Sequence, residues 1–200
     1  MPTYLKLPAY TAIFALVLIA SVPRKEIRRL AIYGIIFGVI TEIISLSLGK
    51  ILGIYEYIDF LPLGYWVFPF FAPISWAIYF VIYFYFLPKH KPLIYVYIAS
   101  GIGYSIFFAQ LLFNSGIMVI YPKFLPYHYI RLIIPLIVFS IWFPYSTWGF
   151  LKLSSYFSSL KLSSFKRHNH LGSFRFILSP QPARKIQEEK RGQVRKPKKI

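Results

Sequence analysis

A single acidic side chain lies inside a long apolar stretch of this sequence. Glu42 belongs to residues 29–48, a segment apolar enough to form a membrane-spanning helix. A carboxylate at the middle of a bilayer costs about 3 kcal/mol unless it is protonated or paired, so such a residue predicts a functional site. A neutral carboxyl group in a dry site can protonate a substrate, which makes Glu42 a candidate catalytic residue. The alternative is a protonated Glu42 that only hydrogen-bonds a neighbouring helix.

Other polar groups are expected near Glu42. Gln110 and Asn114 lie one helical turn apart in a later apolar segment that runs in the same direction, so they should lie at a similar depth. Their alternative role is packing alone, because hydrogen bonds between membrane helices contribute only about 0.6 kcal/mol on average. A carboxylate and two phenols follow the Glu42 segment. The predicted ligand-binding residues are Gln110, Asn114, Tyr55, Glu56 and Tyr57.

Five apolar segments must position these residues. Of 200 residues, 57% are hydrophobic and 14% are charged, whereas a soluble domain usually has about 25% charged residues. Because about 20 apolar residues cross the bilayer core as a helix, the sequence predicts an all-α, polytopic membrane protein with a bundle of about five transmembrane helices in residues 1–150. The predicted spans are residues 7–22, 29–48, 64–87, 93–120 and 132–150. The first has no small-residue cleavage site after it, so we interpret it as a retained span and not a signal peptide.

Small residues mark one face of the second span. Gly34, Gly38, Ser45 and Gly49 share a helical face with Glu42, at spacings of three or four residues. Small side chains let helix backbones approach closely. We therefore expect this face, and Glu42 with it, to contact other helices instead of lipid.

Prolines should disturb the later spans. Pro69 and Pro73 remove backbone donors from the start of the third span and should kink or unwind its first turns, while Pro135 and Pro144 interrupt the fifth. Such breaks are tolerated only where protein or water satisfies the freed carbonyl groups. Together with the nearby acceptors and phenols, the broken third span predicts a small pocket inside the membrane, near the outer leaflet.

The positive charge is unevenly distributed. The chain has a net charge of +17, and residues 151–200 contain 13 of its 23 Lys and Arg residues. Basic connectors follow the first and third spans, which predicts a plasma-membrane protein with its N-terminus outside and its C-terminus in the cytoplasm. Residues 151–165 are expected to form a possible interfacial segment, and residues 166–200 a basic, disordered tail.

The tail predicts lipid partners, not nucleic acid. Basic residues next to a membrane bind anionic phospholipid head groups, and the aromatic residues of the tail are too few and irregular for base stacking. The alternative is a tail that only orients the protein. The chain has no cysteine and no local histidine spacing for a metal, and it lacks nucleotide-binding motifs. We therefore expect neither a metal nor a cofactor.

Several short motifs resemble a family of small, uncharacterised, five-helix integral membrane proteins from spore-forming Gram-positive bacteria. The resemblance covers about residues 30–150 and implies a five-helix fold without an established activity. It rests on Glu42, Leu52-Gly53-Ile54-Tyr55-Glu56-Tyr57, Leu61-Pro62, Trp66, Pro69, residues 85–89, and Gly116-Ile117 with Tyr121. Tyr55 stands where that family has tryptophan, and the basic tail is not part of its pattern.

A shorter pattern is similar to membrane carotenoid cyclases and hydratases. It consists of a helix glutamate followed by Gly53-Ile54-Tyr55-Glu56-Tyr57 and a proline-bounded aromatic helix. The likeness implies an intramembrane carboxyl group that protonates a polyene. Three functions therefore remain open: a protein that binds an apolar or amphipathic small molecule, an enzyme acting on a prenyl or polyene lipid with Glu42 as general acid, and a membrane scaffold or assembly factor.

Overall fold

The computed structural model describes the backbone of residues 2–58, 63–65, 68–121 and 127–177, and the side chains of these residues up to 157, except at 65, 68, 127 and 128. Within these residues five helices and four short strands form. The helices are α1 (Thr3–Ser21), α2 (Arg24–Ile51), α3 (Phe71–Tyr85), α4 (Lys91–Asn114) and α5 (Tyr127–Ile177). The strands are β1 (Tyr55–Tyr57), β2 (Gly64–Tyr65), β3 (Phe68–Pro69) and β4 (Met118–Ile120).

Four of the described helices are long and apolar enough to cross a membrane. They are α1, α2, α4 and the part of α5 from Tyr129 to Phe157. Large aliphatic side chains lie on their outer surfaces; Leu16 of α1 and Ile141 of α5 are each 68% exposed. Such surfaces are stable only in an apolar environment. The predicted fold class, an all-α polytopic membrane bundle of about five helices, is confirmed.

Helix α3 is shorter than the third predicted span, residues 64–87. Its 15 residues extend about 22 Å at 1.5 Å per residue, less than the roughly 30 Å of a bilayer core. Residues 64–65 and 68–69 instead form the antiparallel pair β2–β3 before the helix. The reason is Pro69, which cannot donate a helical hydrogen bond, whereas Pro73 lies in the first turn, where no donor is required.

The fourth predicted span, residues 93–120, also ends earlier, at Asn114. Gly116 has a φ of +68°, and the Ile117 amide donates to the Leu112 carbonyl in a Schellman turn. Helix α2 ends in the same way at Gly53, whose φ is +59°. The chain then leaves both helices as a strand, and β1 pairs with β4 in antiparallel register, Tyr55 opposite Ile120 and Tyr57 opposite Met118.

Helices α2 and α3 pack with their backbones almost in contact. A Cβ atom at Gly34 would lie 2.7 Å from the Ala77 carbonyl oxygen, and one at Gly38 would lie 2.6 Å from the Ala77 nitrogen. The expectation that these glycines face a neighbouring helix is therefore confirmed. Residues 35–40 of α2 have π-helical hydrogen bonding, a wider turn that often occurs at functional sites, and it immediately precedes Thr41 and Glu42.

Helix α5 continues through the prolines that were expected to interrupt it. Pro135 and Pro144 both lie inside its helical backbone. The chain divides into two units, Met1–Lys152, which contains the bundle, and Leu153–Ile200. In the second unit the backbone is helical to Ile177, which includes residues 166–177 of the tail predicted to be disordered. The rest of that tail lies outside the described residues.

We expect the α2–α3 contact to be sensitive to a single methyl group. The substitution Gly38→Ala places a carbon against the α3 backbone, which cannot move aside as a side chain can, and should destabilise the bundle by about 1–3 kcal/mol. Gly103→Ala on α4 is the matched control, because nothing lies within 4 Å of its Cβ position.

The measurement is unfolding of both variants in mixed micelles with increasing sodium dodecyl sulfate. Only Gly38→Ala should lower the midpoint. Equal midpoints for the two variants would contradict the observed helix approach.

Candidate functional site

A cavity is lined by residues of helices α2, α4 and α5, of the N-terminal part of α3, and of strands β1 and β4. The cavity has a volume of about 50 Å³. The whole space between its lining atoms, including the open mouth, is about 480 Å³. The lining residues are Glu42, Ser45, Leu46, Tyr55, Tyr57, Trp76, Phe108, Ala109, Leu112, Phe113, Met118, Ile134, Pro135, Val138, Phe139 and Trp142. We call this space the Glu42 cavity.

Among the residues that the structure describes, Glu42 is the one carboxylic acid in the cavity wall. The residue is only 5% exposed, so it faces the bundle as the glycine stripe predicted. The Tyr57 hydroxyl donates to Glu42 Oε1 at 3.5 Å, a long hydrogen bond, and the Trp76 indole lies near the same carboxyl group. The acid on α2 thus meets a donor from β1 and an indole from α3.

Alternation along β1 places its two tyrosines in the cavity. Tyr55 and Tyr57 are buried, while Glu56 between them is partly exposed. The Tyr55 ring lies against Gly49, where a Cβ would be 2.6 Å from its Cζ, and its hydroxyl lies 2.6 Å from Ser45 Oγ. Burial, reinforced by the charge of a Glu42 carboxylate, raises the pKa of both phenols well above the usual value, so both stay protonated and able to donate.

Three aromatic rings form the wall beside Glu42. The ring centres of Trp76 and Trp142 are 4.8 Å apart, and those of Trp76 and Phe139 are 5.4 Å apart. The Trp142 indole nitrogen donates to the backbone carbonyl of Phe37 at 2.8 Å, inside the π-helical segment of α2. The bond joins α5 to the turn before Glu42 and buries the polar end of that indole.

Gln110 and Asn114 do not line the cavity; both contact Arg131 at the start of α5. The Gln110 amide nitrogen donates to the Arg131 carbonyl, and Arg131 Nη2 donates to Asn114 Oδ1 at 2.7 Å. The described lining of the cavity therefore includes neither of these two predicted residues. The reason is Pro135, four residues after Arg131, whose missing N–H leaves that carbonyl without its helical donor. The side chain of Gln110 supplies the donor.

Glu56, the remaining predicted residue, lies on the opposite face of β1 from the tyrosines. It accepts a hydrogen bond from the Tyr121 hydroxyl, and its other oxygen is 3.7 Å from Lys50 Nζ. Glu56 is therefore also not among the described lining residues of the cavity. Trp66, which carried part of the resemblance, lies outside the described residues.

The sequence did not single out Trp76, Phe139 and Trp142 as site residues. Aromatic residues are so frequent here, 20% of the chain, that hydropathy alone does not separate wall residues from packing residues. The spacing of Phe139 and Trp142 places them on one face of α5. Only the three-dimensional fold brings that face to Glu42.

The arrangement supports two kinds of chemistry. The carboxyl group can hold a polar group of a ligand while the aromatic wall contacts its apolar part. It can also transfer a proton to a bound molecule. No family model, curated protein or solved structure matches this chain.

We expect a coupling between Gln110 and Pro135. Gln110→Leu removes the amide that donates to the partly buried Arg131 carbonyl and should cost about 1–3 kcal/mol of stability. In a Pro135→Ala background the residue-135 amide can donate to that carbonyl, so the same substitution should cost little.

A double-mutant cycle with the unfolding assay above measures the coupling directly. Additive losses in the double variant would mean that Gln110 does not act by replacing the donor that Pro135 lacks.

Proposed function

We propose that this protein is a multi-pass plasma-membrane protein that binds an apolar or amphipathic small molecule in the Glu42 cavity. The observation that carries the proposal is a buried carboxyl group in the wall of an aromatic cavity. Cavities lined mainly by apolar groups, with a few placed polar groups, are typical small-molecule sites. An intramembrane carboxyl group is costly, and a helix interface alone does not need a cavity beside it.

Physical chemistry favours an amphipathic ligand. A ligand that enters from the bilayer gains little from apolar burial, because lipid chains are as apolar as the cavity wall. Affinity must therefore come from groups that lipid lacks, namely the Glu42 carboxyl, the Tyr57 hydroxyl and the ring faces. The ligand should carry a polar group that meets Glu42.

The mouth of the cavity suits a chain that extends into lipid. Four lining residues are partly exposed, Ser45, Met118, Ile134 and Val138, and the other twelve are buried. The cavity volume of about 50 Å³ is far below the roughly 300–1,000 Å³ of sites that enclose drug-sized ligands, so the cavity encloses only a small part of a ligand. A head group with a few carbons fits inside, and a longer apolar chain leaves through the mouth.

The enzyme alternative is favoured by the aromatic wall. Protonation of an alkene by Glu42 would produce a carbocation, which aromatic faces stabilise. Trp76, Phe139 and Trp142 pack against one another and line the same cavity as the acid. The substrate would be a prenyl or polyene lipid.

The β1–β4 pairing supports the proposed topology. It joins the ends of α2 and α4, so α3, with the β2–β3 pair, must return the chain across the bundle. With basic connectors inside, the N-terminus lies outside and the C-terminus is cytoplasmic, where the tail binds anionic head groups.

A reporter active only in the cytoplasm should work when fused after Phe150 and fail after Tyr121; the reverse pattern would overturn the orientation.

Membership of the small five-helix family is also a proposal. The motifs that carry the resemblance around Gly53 and Gly116 are the glycine turns and strands β1 and β4, which form one sheet. A shared sheet explains why two distant motifs would occur together in such proteins.

The test of binding is lipid mass spectrometry of the purified protein. Wild type should retain a lipid-like species, and Glu42→Gln, which removes the acid, should lower its occupancy, because a loss of 1.4 kcal/mol weakens the affinity about tenfold. Ala109→Leu, which fills the cavity without altering Glu42, should do the same. Ser100→Ala, on the exposed surface of α4, is the control.

The outcome distinguishes the functions. Identical lipid content in all four proteins would refute the binding proposal and favour a scaffold. A second lipid species, either an isomer of the first that chromatography separates or its hydration product, present in cells with wild type and absent with Glu42→Gln, would favour the enzyme.

A further inference from the structure

We infer that the ligand of the Glu42 cavity is an amphipathic ammonium cation. This inference rests on the proposed binding function and goes beyond it by naming the charge of the ligand. It is carried by the charges, the hydrogen bonds and the aromatic groups of the described lining residues.

The described lining of the cavity has an acidic side chain and no basic one. It contains one carboxyl group, Glu42, and none of its sixteen residues is Lys, Arg or His. The described basic residues nearest in sequence to lining residues, Lys50 and Arg131, contact other groups. Lys50 Nζ lies 3.7 Å from Glu56, and Arg131 donates to Asn114. A Glu42 carboxylate must therefore be neutralised by a proton or by a cation that enters the cavity.

The hydrogen bonds leave room for that cation. A carboxylate has about four acceptor positions, and the described lining supplies one hydrogen bond, from the Tyr57 hydroxyl, with the Trp76 indole nearby. The other hydroxyl groups of the wall, Ser45 and Tyr55, bind each other. A ligand that brings an N–H donor or a positive charge completes the site.

The two tryptophans contribute aromatic surface to the cavity lining. The Trp142 indole N–H donates to the Phe37 carbonyl, and the Trp76 indole lies near Glu42. Their rings and that of Phe139 remain as cavity wall, and tryptophan is the side chain that attracts cations most strongly through its π-face. A carboxylate beside such rings is the chemistry that recognises ammonium groups.

The same groups exclude a metal ion. Calcium takes six to eight oxygen ligands, and magnesium takes six in octahedral geometry. The described wall offers one carboxyl group and a few hydroxyls among apolar side chains, too few oxygens for either ion. An alkylammonium ion instead places its head at Glu42 and its chain toward the partly exposed mouth.

The test compares a cation with a neutral molecule of the same shape. The probes are radiolabelled octyltrimethylammonium and its carbon isostere, in which a tert-butyl group replaces the charged head. Binding to the full-length protein in nanodiscs is measured after subtraction of binding to empty nanodiscs. Octylammonium, as a third probe, shows whether an N–H donor adds affinity.

We expect wild type to bind the cation at least tenfold more tightly than the isostere. Glu42→Gln should reduce that ratio to near one, and Ala109→Leu should weaken both probes. The comparison within wild type requires no variant, so it stands even if a substitution impairs folding.

Two results would overturn the inference, and they differ in meaning. Equal binding of cation and isostere, both lost in Ala109→Leu, would refute the ammonium ligand and leave the proposed binding function intact. Failure of all three probes to bind, together with identical lipid content in wild type and Ala109→Leu, would refute both.

Discussion

The close approach of α2 and α3 is the constraint on which the rest of the structure depends. At Gly34 and Gly38 the two helices have no room for a Cβ atom. Gly38 lies against the backbone of Trp76 and Ala77. This proximity holds the Trp76 side chain near Glu42 on α2. Larger side chains at the glycines would separate the indole from the acid, and the wall of the cavity with them.

The π-helical turn and the β1–β4 sheet complete the enclosure from two sides. The turn offers the Phe37 carbonyl to Trp142 and so fixes α5 against α2. The sheet, entered through the Gly53 and Gly116 turns, carries Tyr55 and Tyr57 across the space between α2 and α4. The π-helical turn and the sheet both give backbone polar groups a hydrogen-bond partner. Without a partner, such groups would cost free energy in an apolar environment.

The sequence predicted the features that depend on local patterns. Hydropathy identified the helices, and the small-residue stripe predicted that Glu42 faces the bundle. If Tyr55-Glu56-Tyr57 is assigned as a strand, the alternation of side chains also predicts that Glu56 faces away from the two tyrosines.

Features that depend on distant partners were not predictable in this way. The bond from Gln110 to the carbonyl freed by Pro135 joins residues on separate helices. The late start of α3, at Phe71 and not at residue 64, depends on which proline falls within its first turn, and a hydropathy window of span length does not resolve that. The aromatic wall exists only because α3 and α5 meet beside α2.

The central claim is that Glu42 is an acid in a cavity that a small apolar molecule can enter. Dicyclohexylcarbodiimide, an apolar reagent that adds to carboxylic acids, tests this directly when the labelled residues are identified by mass spectrometry. Our account predicts labelling of Glu42, its suppression by Ala109→Leu, and little labelling of Glu56, which is paired with Lys50. Labelling of Glu42 only after denaturation would contradict it.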